Sequence, residues 1–321
     1  MATGSALDSQ VGFAEETVPG TAVTVTLFHE HDSVTLKNSP TWSDPSSLRA
    51  GGRYVRRVGR QRQTRDSVTG SVTIPVATKG MSLLFKHCVA SSTAALNTGT
   101  QVHAFGGTWA GKSLTVQAGY PEPVSPYTVR PITFAGCKVV SWEFSCSTGE
   151  DASLTLDLDG TAATTATALA TAAYLATNNV YNFGDCTTAT LAGTSLITAG
   201  LVMNSLSIKG EFPLATERQG LGFGKGKAEQ LLIGIPMITA TLGGEFNKAA
   251  LYDPFLAETS QAFVATFTQP TYSLSFNIPA AKIKDAGPEI SGPEIVTNSV
   301  ELQGLDDETL APITITVVQP I

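Results

Sequence analysis

The pattern that most restricts this chain is alternation of apolar and polar residues with a period of two. Residues 23–27, 33–37, 66–74, 112–117, 142–146 and 153–158 each set Val, Leu, Ile, Phe or Trp against Thr, Ser or a charged residue. Successive side chains of an extended strand point to opposite faces, so these segments build sheets with one face packed and one face wet. Sheets wetted on one side are antiparallel as a rule. The expectation is a mainly β fold, an antiparallel β-sandwich or barrel, with helix confined to short flanking pieces. Residues 80–90 read as one such helix and residues 248–257 as its counterpart further on.

The order of elements repeats. Ser33-Val-Thr-Leu-Lys-Asn resembles Ser205-Leu-Ser-Ile-Lys-Gly at a spacing of 172 residues, and the strands at 68–73 and 238–242 lie 170 apart. A long arm separates the two segments in each copy, and each copy closes on an acidic turn and an alternating strand, at 149–158 and 305–317. This predicts two tandem copies of one β fold. Residues 1–160 form the first, with an arm at 37–66, and residues 204–321 form the second, with an arm at 209–230. The Ala/Thr-rich stretch 161–203 between them is expected to be a surface connection, with a helix-compatible run at 167–176.

Charge is concentrated in the first arm. Seven of the nine arginines, Arg49, Arg53, Arg56, Arg57, Arg60, Arg62 and Arg65, lie there, so with Asp66 residues 49–66 carry +6. The whole chain carries −7, which leaves −13 for the remainder. Nucleic-acid grooves interleave basic residues with aromatic ones, and Tyr54 is the sole aromatic of this stretch. An acidic body also repels phosphate beyond the arm's own reach. A protein partner is therefore expected, with nucleic-acid binding as the alternative. Lys225 and Lys227 occupy the corresponding place in the second arm, and these nine cations are the expected contacts with that protein partner, another copy of the chain.

Little else in the sequence carries chemistry. Residues 106–113 match the phosphate-loop pattern G-x-x-x-x-G-K-[ST], but a strand and a Pro-containing turn follow where the mechanism needs a helix N-terminus. They are expected to be a turn before a strand. His29 and His31 share one strand face without a third ligand, which reads as a solvated strand end and not a metal site. Gly220-Leu-Gly-Phe-Gly-Lys-Gly-Lys227 reads as a mobile hairpin. Cys88, Cys137, Cys146 and Cys186 lack metal-ligand or framework spacing and are expected to be free thiols. No catalytic constellation, cofactor motif, signal peptide or membrane-spanning run is evident, so the expectation is a non-enzymatic product made in the cytoplasm.

The N-terminal segment Gly12-Phe-Ala-Glu-Glu-Thr-Val-Pro-Gly-Thr21 resembles the G-x-x-x-E-T-x-x-G-T opening of the major tail tube proteins of long-tailed, siphophage-type bacteriophages, carried by Gly12, Glu16, Thr17, Gly20 and Thr21. An aromatic common before the second glycine of that opening is Pro19 here. Residues 66–76, 134–144 and 298–308 are also similar to family segments in the same order. The resemblance implies a virion structural protein: a β-sandwich with a flanking helix, assembled into rings that stack into a hollow tube for DNA delivery. Strands of all subunits then join one inner barrel, and the long loop reaches the neighbouring subunit or ring. Tube folds of about half this length form hexamers, so a duplicated chain is expected to form a pseudo-hexameric trimer in preference to a hexamer. The implied partners are other copies and the tail tip, tape measure and tail terminator proteins, while DNA passes the lumen without specific binding and no membrane is involved. Another ring component, at the tail tip or baseplate, is the family-level alternative.

Overall fold

The computed structural model describes residues 5–44, 46, 55–123, 128–290 and 292–320. Its first part runs β1 (Gln10–Glu15), β2 (Leu27–His29), β3 (Ser33–Val34), β4 (Lys37–Asn38), β5 (Thr41–Trp42), β6 (Gln63–Arg65), β7 (Val68–Pro75) and helix α1 (Ser82–Cys88). It continues through β8 (Gly99–Ala104), β9 (Leu114–Glu122), β10 (Thr128–Ser147), β11 (Ser153–Gly160) and β12 (Ala162–Thr164). The second part has β13 (Cys186–Leu191), β14 (Thr194–Ser195), α2 (Leu196–Ala199), β15 (Leu201–Glu211), β16 (Met237–Phe246) and α3 (Tyr252–Leu256). It ends with β17 (Ser260–Gln269), β18 (Tyr272–Asp285), β19 (Pro288–Glu289), β20 (Thr297–Gly304) and β21 (Thr314–Gln319). Apart from residues 23–27, the alternating segments contribute to antiparallel strands, and the helices are short, as the periodicity requires.

One long sheet runs from β3 and β4 through β7, β11, the C-terminal half of β10, β15, β16 and β20 to the end of β18 with β19. β10 and β18 are long enough to serve two sheets. Their N-terminal parts lie in flanking sheets, β2–β1–β9–β10–β12 and β14–β13–β17–β18–β21–β8. Each strand changes sheet at an irregularity, between Phe134 and Cys137 in β10 and opposite the Gln261/Phe263 shift in β18. Extra residues of this kind bend a strand and re-aim it. At Gly136 φ is 64°, and an added Cβ would stand 2.3 Å from Thr161 Oγ1, so the first bend requires glycine.

The two parts agree rung for rung. Val34↔Val72 and Lys37↔Thr69 correspond to Leu206↔Leu242 and Lys209↔Thr239, at the two spacings noted in the sequence. Lys138↔Asp159 and Val139↔Leu158 recur 144 residues later as Lys282↔Gln303 and Ile283↔Leu302, and the shift after Val139 recurs after Ile283. Val11↔Ala118 likewise has its counterpart in Ala189↔Ala265. β13 thus plays the role of β1, although residues 161–203 were expected to be a plain connection. Residues 167–176 form no helix. They run extended along β1 and β9, where Gln10 Nε2 donates to Ala170 O (2.8 Å) and Gln117 exchanges hydrogen bonds with Ala168 O and Ala170 N. Side-chain amides there replace the intrahelical bonds that the composition alone would favour. Of residues 23–27, only Leu27 lies in a strand.

A single core spans both parts. Phe144 of β10 lies 4.6 Å from Phe276 and 5.2 Å from Phe267, ring centroid to centroid, and Phe85 of α1 packs edge-on to Phe276 at 5.9 Å. Residues 1–160 are therefore not packed separately from the rest. The core also holds polar groups. Glu16 is 3% exposed: Oε1 accepts from Gly136 N (2.8 Å) and Thr115 Oγ1 (2.9 Å), and Oε2 from Gly20 N (2.7 Å) and Ser113 Oγ (2.7 Å). That carboxylate ties the N-terminal segment to the bend of β10. Glu16→Ala strands these donors and should lower the unfolding free energy by about 3–5 kcal/mol in urea titration, since each stranded buried donor costs about 1–3 kcal/mol. A loss below about 1 kcal/mol would contradict the anchor.

Burial holds the His29, His87 and His103 rings neutral, with pKa values lowered to about 4, 3 and 4. In the unfolded chain they protonate near pH 6.5, so their contribution is fully present above that pH and is lost as pH falls toward 4. A lowering from 6.5 to about 4 is worth roughly 3 kcal/mol per ring. The midpoint of urea unfolding should hold from pH 8 to 7 and then fall steadily; a midpoint unchanged down to pH 4.5 would refute the assignment.

Candidate assembly surface

The long sheet buries one face and leaves the other wet. Across its wet face run Thr73, Thr155, Glu143, Lys209 and Thr239, each opposite the next, with Ser71, Asp157, Ser141 and Glu211 on an adjacent rung. Many of these groups bond one another: Thr73 Oγ1 and Thr155 Oγ1 are 3.1 Å apart, and Ser207 Oγ donates to Glu143 Oε1 at 2.7 Å. The result is a hydroxyl-rich wall whose few charges are mostly acidic.

The sheet's two outer edges are free. No strand among the described residues pairs with the outer side of β3–β4, nor with the outer side of the end of β18 and β19. Inside the chain the equivalent edges meet: β10 pairs with β15 in an unbroken register from Ser141↔Glu211 to Ser147↔Ser205. In this register β10 occupies the place of β18–β19, and β15 occupies the place of β3–β4.

The second arm, residues 212–236, folds back on itself through Ala215 N→Leu231 O (2.8 Å) and Ala228 N→Arg218 O (2.7 Å). It is pinned over the bend of β10. Lys227 Nζ donates to both oxygens of Asp159 (2.6 and 2.7 Å), and Gln230 Nε2 donates to Asp159 Oδ2 (2.7 Å) and Gly136 O (3.3 Å). Lys138 Nζ reaches Glu229 Oε1 (2.6 Å), Gln230 O (2.8 Å) and Trp109 O (2.6 Å), while Gly111 N donates to Glu229 Oε1 at 2.6 Å. Phe212 stacks on Trp109 at 4.5 Å. Burial pushes the Asp159 carboxyl up and the Lys138 ammonium down, each opposed by its partners. Burial also acts upward on Glu229, but hydrogen bonds from Lys138 and Gly111 outweigh it and hold that carboxyl below its ordinary range.

The nine cations of the two arms therefore divide. Lys227 is buried in this intrachain pair and is not offered to another subunit, while Lys225 is exposed. Arg49 and Arg53 lie outside the described residues. Arg56 pairs with Asp44, and Arg65 pairs with Glu217 at 3.2 Å. Arg57, Arg60 and Arg62 are exposed and form no ion pair among the described residues.

The remaining motifs are absorbed into the fold. Residues 106–113 are a turn before β9: Lys112 Nζ donates to Ala90 O, Ser113 is bonded to Glu16, and no helix follows. His29 is buried, not at a solvated strand end, because β2 pairs with β1 and the ring lies near Phe13 (6.1 Å between centroids) and Gly80; His31 Nε2 lies 3.0 Å from Ser9 Oγ. The four cysteines are free thiols, and no three His, Cys, Asp or Glu side chains gather as a metal site among the described residues. There, too, no helix is long and apolar enough to cross a membrane. The free edges and the Asp159–Gln230 network were not singled out in the sequence. A signal for the second existed, since β11 ends on Asp-Leu-Asp where a strand buried at that end has no use for a second carboxylate.

A sequence model of the family described as "Phage tail tube protein" matches residues 6–304. The match spans both arms and every strand but β21. No curated protein matches the chain.

Removing Lys227 would leave Asp159 charged, buried and short of its cation. Lys227→Ala should destabilise the protein by about 3–5 kcal/mol, as breaking a buried pair does, whereas Lys225→Ala should change stability by less than about 0.5 kcal/mol. Equal effects of the two substitutions in thermal unfolding would contradict the placement of Lys227.

Proposed function

Because the chain belongs to the phage tail tube protein family, and is thus a structural protein of the virion tail, we propose that it polymerises as stacked rings into the conduit for DNA delivery. Each ring holds three chains, and each chain supplies two copies of the tube fold, giving pseudo-sixfold symmetry. Tail tip, tape measure and tail terminator proteins then bound the polymer.

The observation that carries this reading is the β10–β15 join. It is a working interface between two successive copies of the fold, and the chain's outer edges are the same two surfaces left unpaired. An exposed edge is a template for another strand. Transferring the internal register, by 144 residues on one side and 172 on the other, sets Asp285 of one chain opposite Ser39 of the next, Gly287 opposite Lys37 and Glu289 opposite Thr35. Lys37, exposed and without an ion pair among the described residues, then sits on one face between Asp285 and Glu289. Pro288 stands where Phe144 stands and has no N–H to donate, so this join is weaker than the internal one by a hydrogen bond at most. Closure of the ring turns the wet face inward. On that wall Lys209 is held by Glu211 (2.5 Å) and Lys37 would lie between Asp285 and Glu289, so its cations are neutralised and DNA phosphate meets mostly hydroxyls and carboxylates, which suits a conduit that must release what passes through it.

Negative-stain microscopy of the concentrated protein should show tubes built of threefold rings. In the Lys37→Cys/Gly287→Cys variant, oxidation should yield covalent species ending at trimer on non-reducing gels, since directly opposed residues lie within disulfide reach. Lys37→Cys/Pro288→Cys places the thiols on opposite faces and should not link. Single rings without tubes would favour a tail tip or baseplate component, and a protein that stays monomeric would overturn the proposal.

A further inference from the structure

We infer that the arginine arm of one copy seats on the β18–β20 corner of the next copy, as residues 212–236 seat on the β10–β11 corner within the chain. The inference rests on the ring reading above and names the arm's binding site.

The two corners share a register, although Ala280, which has no left-handed φ, stands where the first bend has Gly136. Gly136, Lys138 and Asp159, which the second arm covers, correspond at a distance of 144 residues to Ala280, Lys282 and Gln303. The first corner is closed over: Lys138 and Asp159 are 1% and 3% exposed. At the second, Lys282 and Gln303 are half-buried, and their side chains have no hydrogen bond or ion pair among the described residues. The open part of that dock is its Lys282–Gln303 side, because Ala280 is 9% exposed and its carbonyl accepts from Leu305 N (2.7 Å).

The arms also leave the sheet alike. Residues 39–67 join β4 to β7 as residues 212–236 join β15 to β16, and the second arm starts across the join, with Phe212 N donating to Val140 O of β10 at 2.8 Å; Pro40, in the place of Phe212, has no N–H for that bond, so the first arm follows the path without it. Once β3–β4 pairs with the β18–β19 edge of another copy, the first arm starts over that copy's corner. Counting back 170 residues from Lys227 and Gln230 gives Arg57 and Arg60, two of the exposed arginines without an ion pair. Arg57 then lies over Gln303, whose amide oxygen accepts from a guanidinium.

Charge separates the two docks and selects the occupant. Residues 39–67 hold seven arginines against two aspartates, whereas residues 212–236 hold three cations and two carboxylates. Residues 280–308 hold seven carboxylates against two lysines, and none of the seven forms an ion pair among the described residues. Among them Glu301, Asp306, Asp307 and Glu308 are exposed on β20 and the turn directly after it, beside Gln303. A strongly basic arm and a strongly acidic corner on the same chain repel their own kind and attract each other, which fixes head-to-tail contact between copies.

The test is a charge swap. The variant Arg57→Glu/Arg60→Glu/Arg62→Glu should fold with an unchanged thermal midpoint but need roughly tenfold or more protein to assemble, a shift of about 1.4 kcal/mol per contact. Adding Asp306→Lys/Asp307→Lys/Glu308→Lys to the same chain should return the assembly concentration to within about threefold of wild type. Assembly unaffected by the arm reversal, or lost and not restored by the swap, overturns the docking site. If the wild type still forms rings and Lys37→Cys/Gly287→Cys still cross-links, that failure leaves the ring reading standing. A wild type that forms no rings overturns both. Retardation of duplex DNA on gels by the wild type, abolished by the arm reversal while assembly is unchanged, assigns the arm to nucleic acid instead.

Discussion

A strand that alternates apolar and polar residues meets its backbone requirements only with a neighbour on each side, and the rest of this molecule follows from how that requirement is met. Each set of strands makes a four-strand layer with β3–β4 or β15 at one edge and β10 or β18 at the other. Neither layer can close on itself. Within the chain one edge of each is satisfied by the other, through β10 and β15, and the two remaining edges have complementary outlines because they are copies of the pair already joined. Head-to-tail contact between identical units either closes into a ring or runs on as a filament. The shared core through Phe85, Phe144, Phe267 and Phe276 holds the two layers at one fixed angle, which is what makes closure at a set number of copies attainable.

The bends in β10 and β18 are the second requirement. Passing from flanking sheet to long sheet interrupts the ladder and leaves backbone groups without partners, and a buried bend must find them elsewhere. At Gly136 the N–H goes to Glu16 and the C=O receives Gln230. One comes from the N-terminal segment and the other from the second arm, so two distant pieces of chain are locked to the same residue. The Lys227–Asp159 pair and the Lys138–Glu229 pair flank this point. Their net contribution to stability is modest after desolvation, and their geometric role is larger: they fix where an arm lies on the fold before it.

How far the sequence revealed this depended on whether the signal was local. Alternation identified β7, β9, β11 and the C-terminal half of β10 but not β17, β18 or β20, and the repeat of Ser33–Lys37 at Ser205–Lys209 anticipated the matching hairpins, because side-chain periodicity and strand pairing share the same period of two. β13 was hidden in the Ala/Thr-rich stretch 161–203, where small residues blur the contrast between faces, and its pairing with β17 is fixed by a partner about 75 residues away. The run at 167–176 has helical composition, but tertiary hydrogen bonds from Gln10 and Gln117 override that weak preference. Lys227 looked like its neighbour Lys225. Only the three-dimensional position of Asp159 tells the buried lysine from the exposed one.

The same separation explains why a chain of net −7 concentrates its arginines in one loop. In the proposed tube the wet face would surround DNA, where a free cation would slow release; Glu143 and Asp157 lie there, and Lys209 is paired with Glu211. Subunit contacts need attraction, and cations are its cheapest selective source on an acidic protein. Placing them on a loop that leaves the sheet at its edge keeps them off the wall and, in the proposed ring, would put them where two copies meet. The second arm needs few charges, because its dock lies in the same chain and cannot be lost by dilution. In the docking proposed above, the first arm would find its dock in another molecule, and long-range attraction between an arm of net +5 and a corner of net −5 would supply that search with both speed and direction.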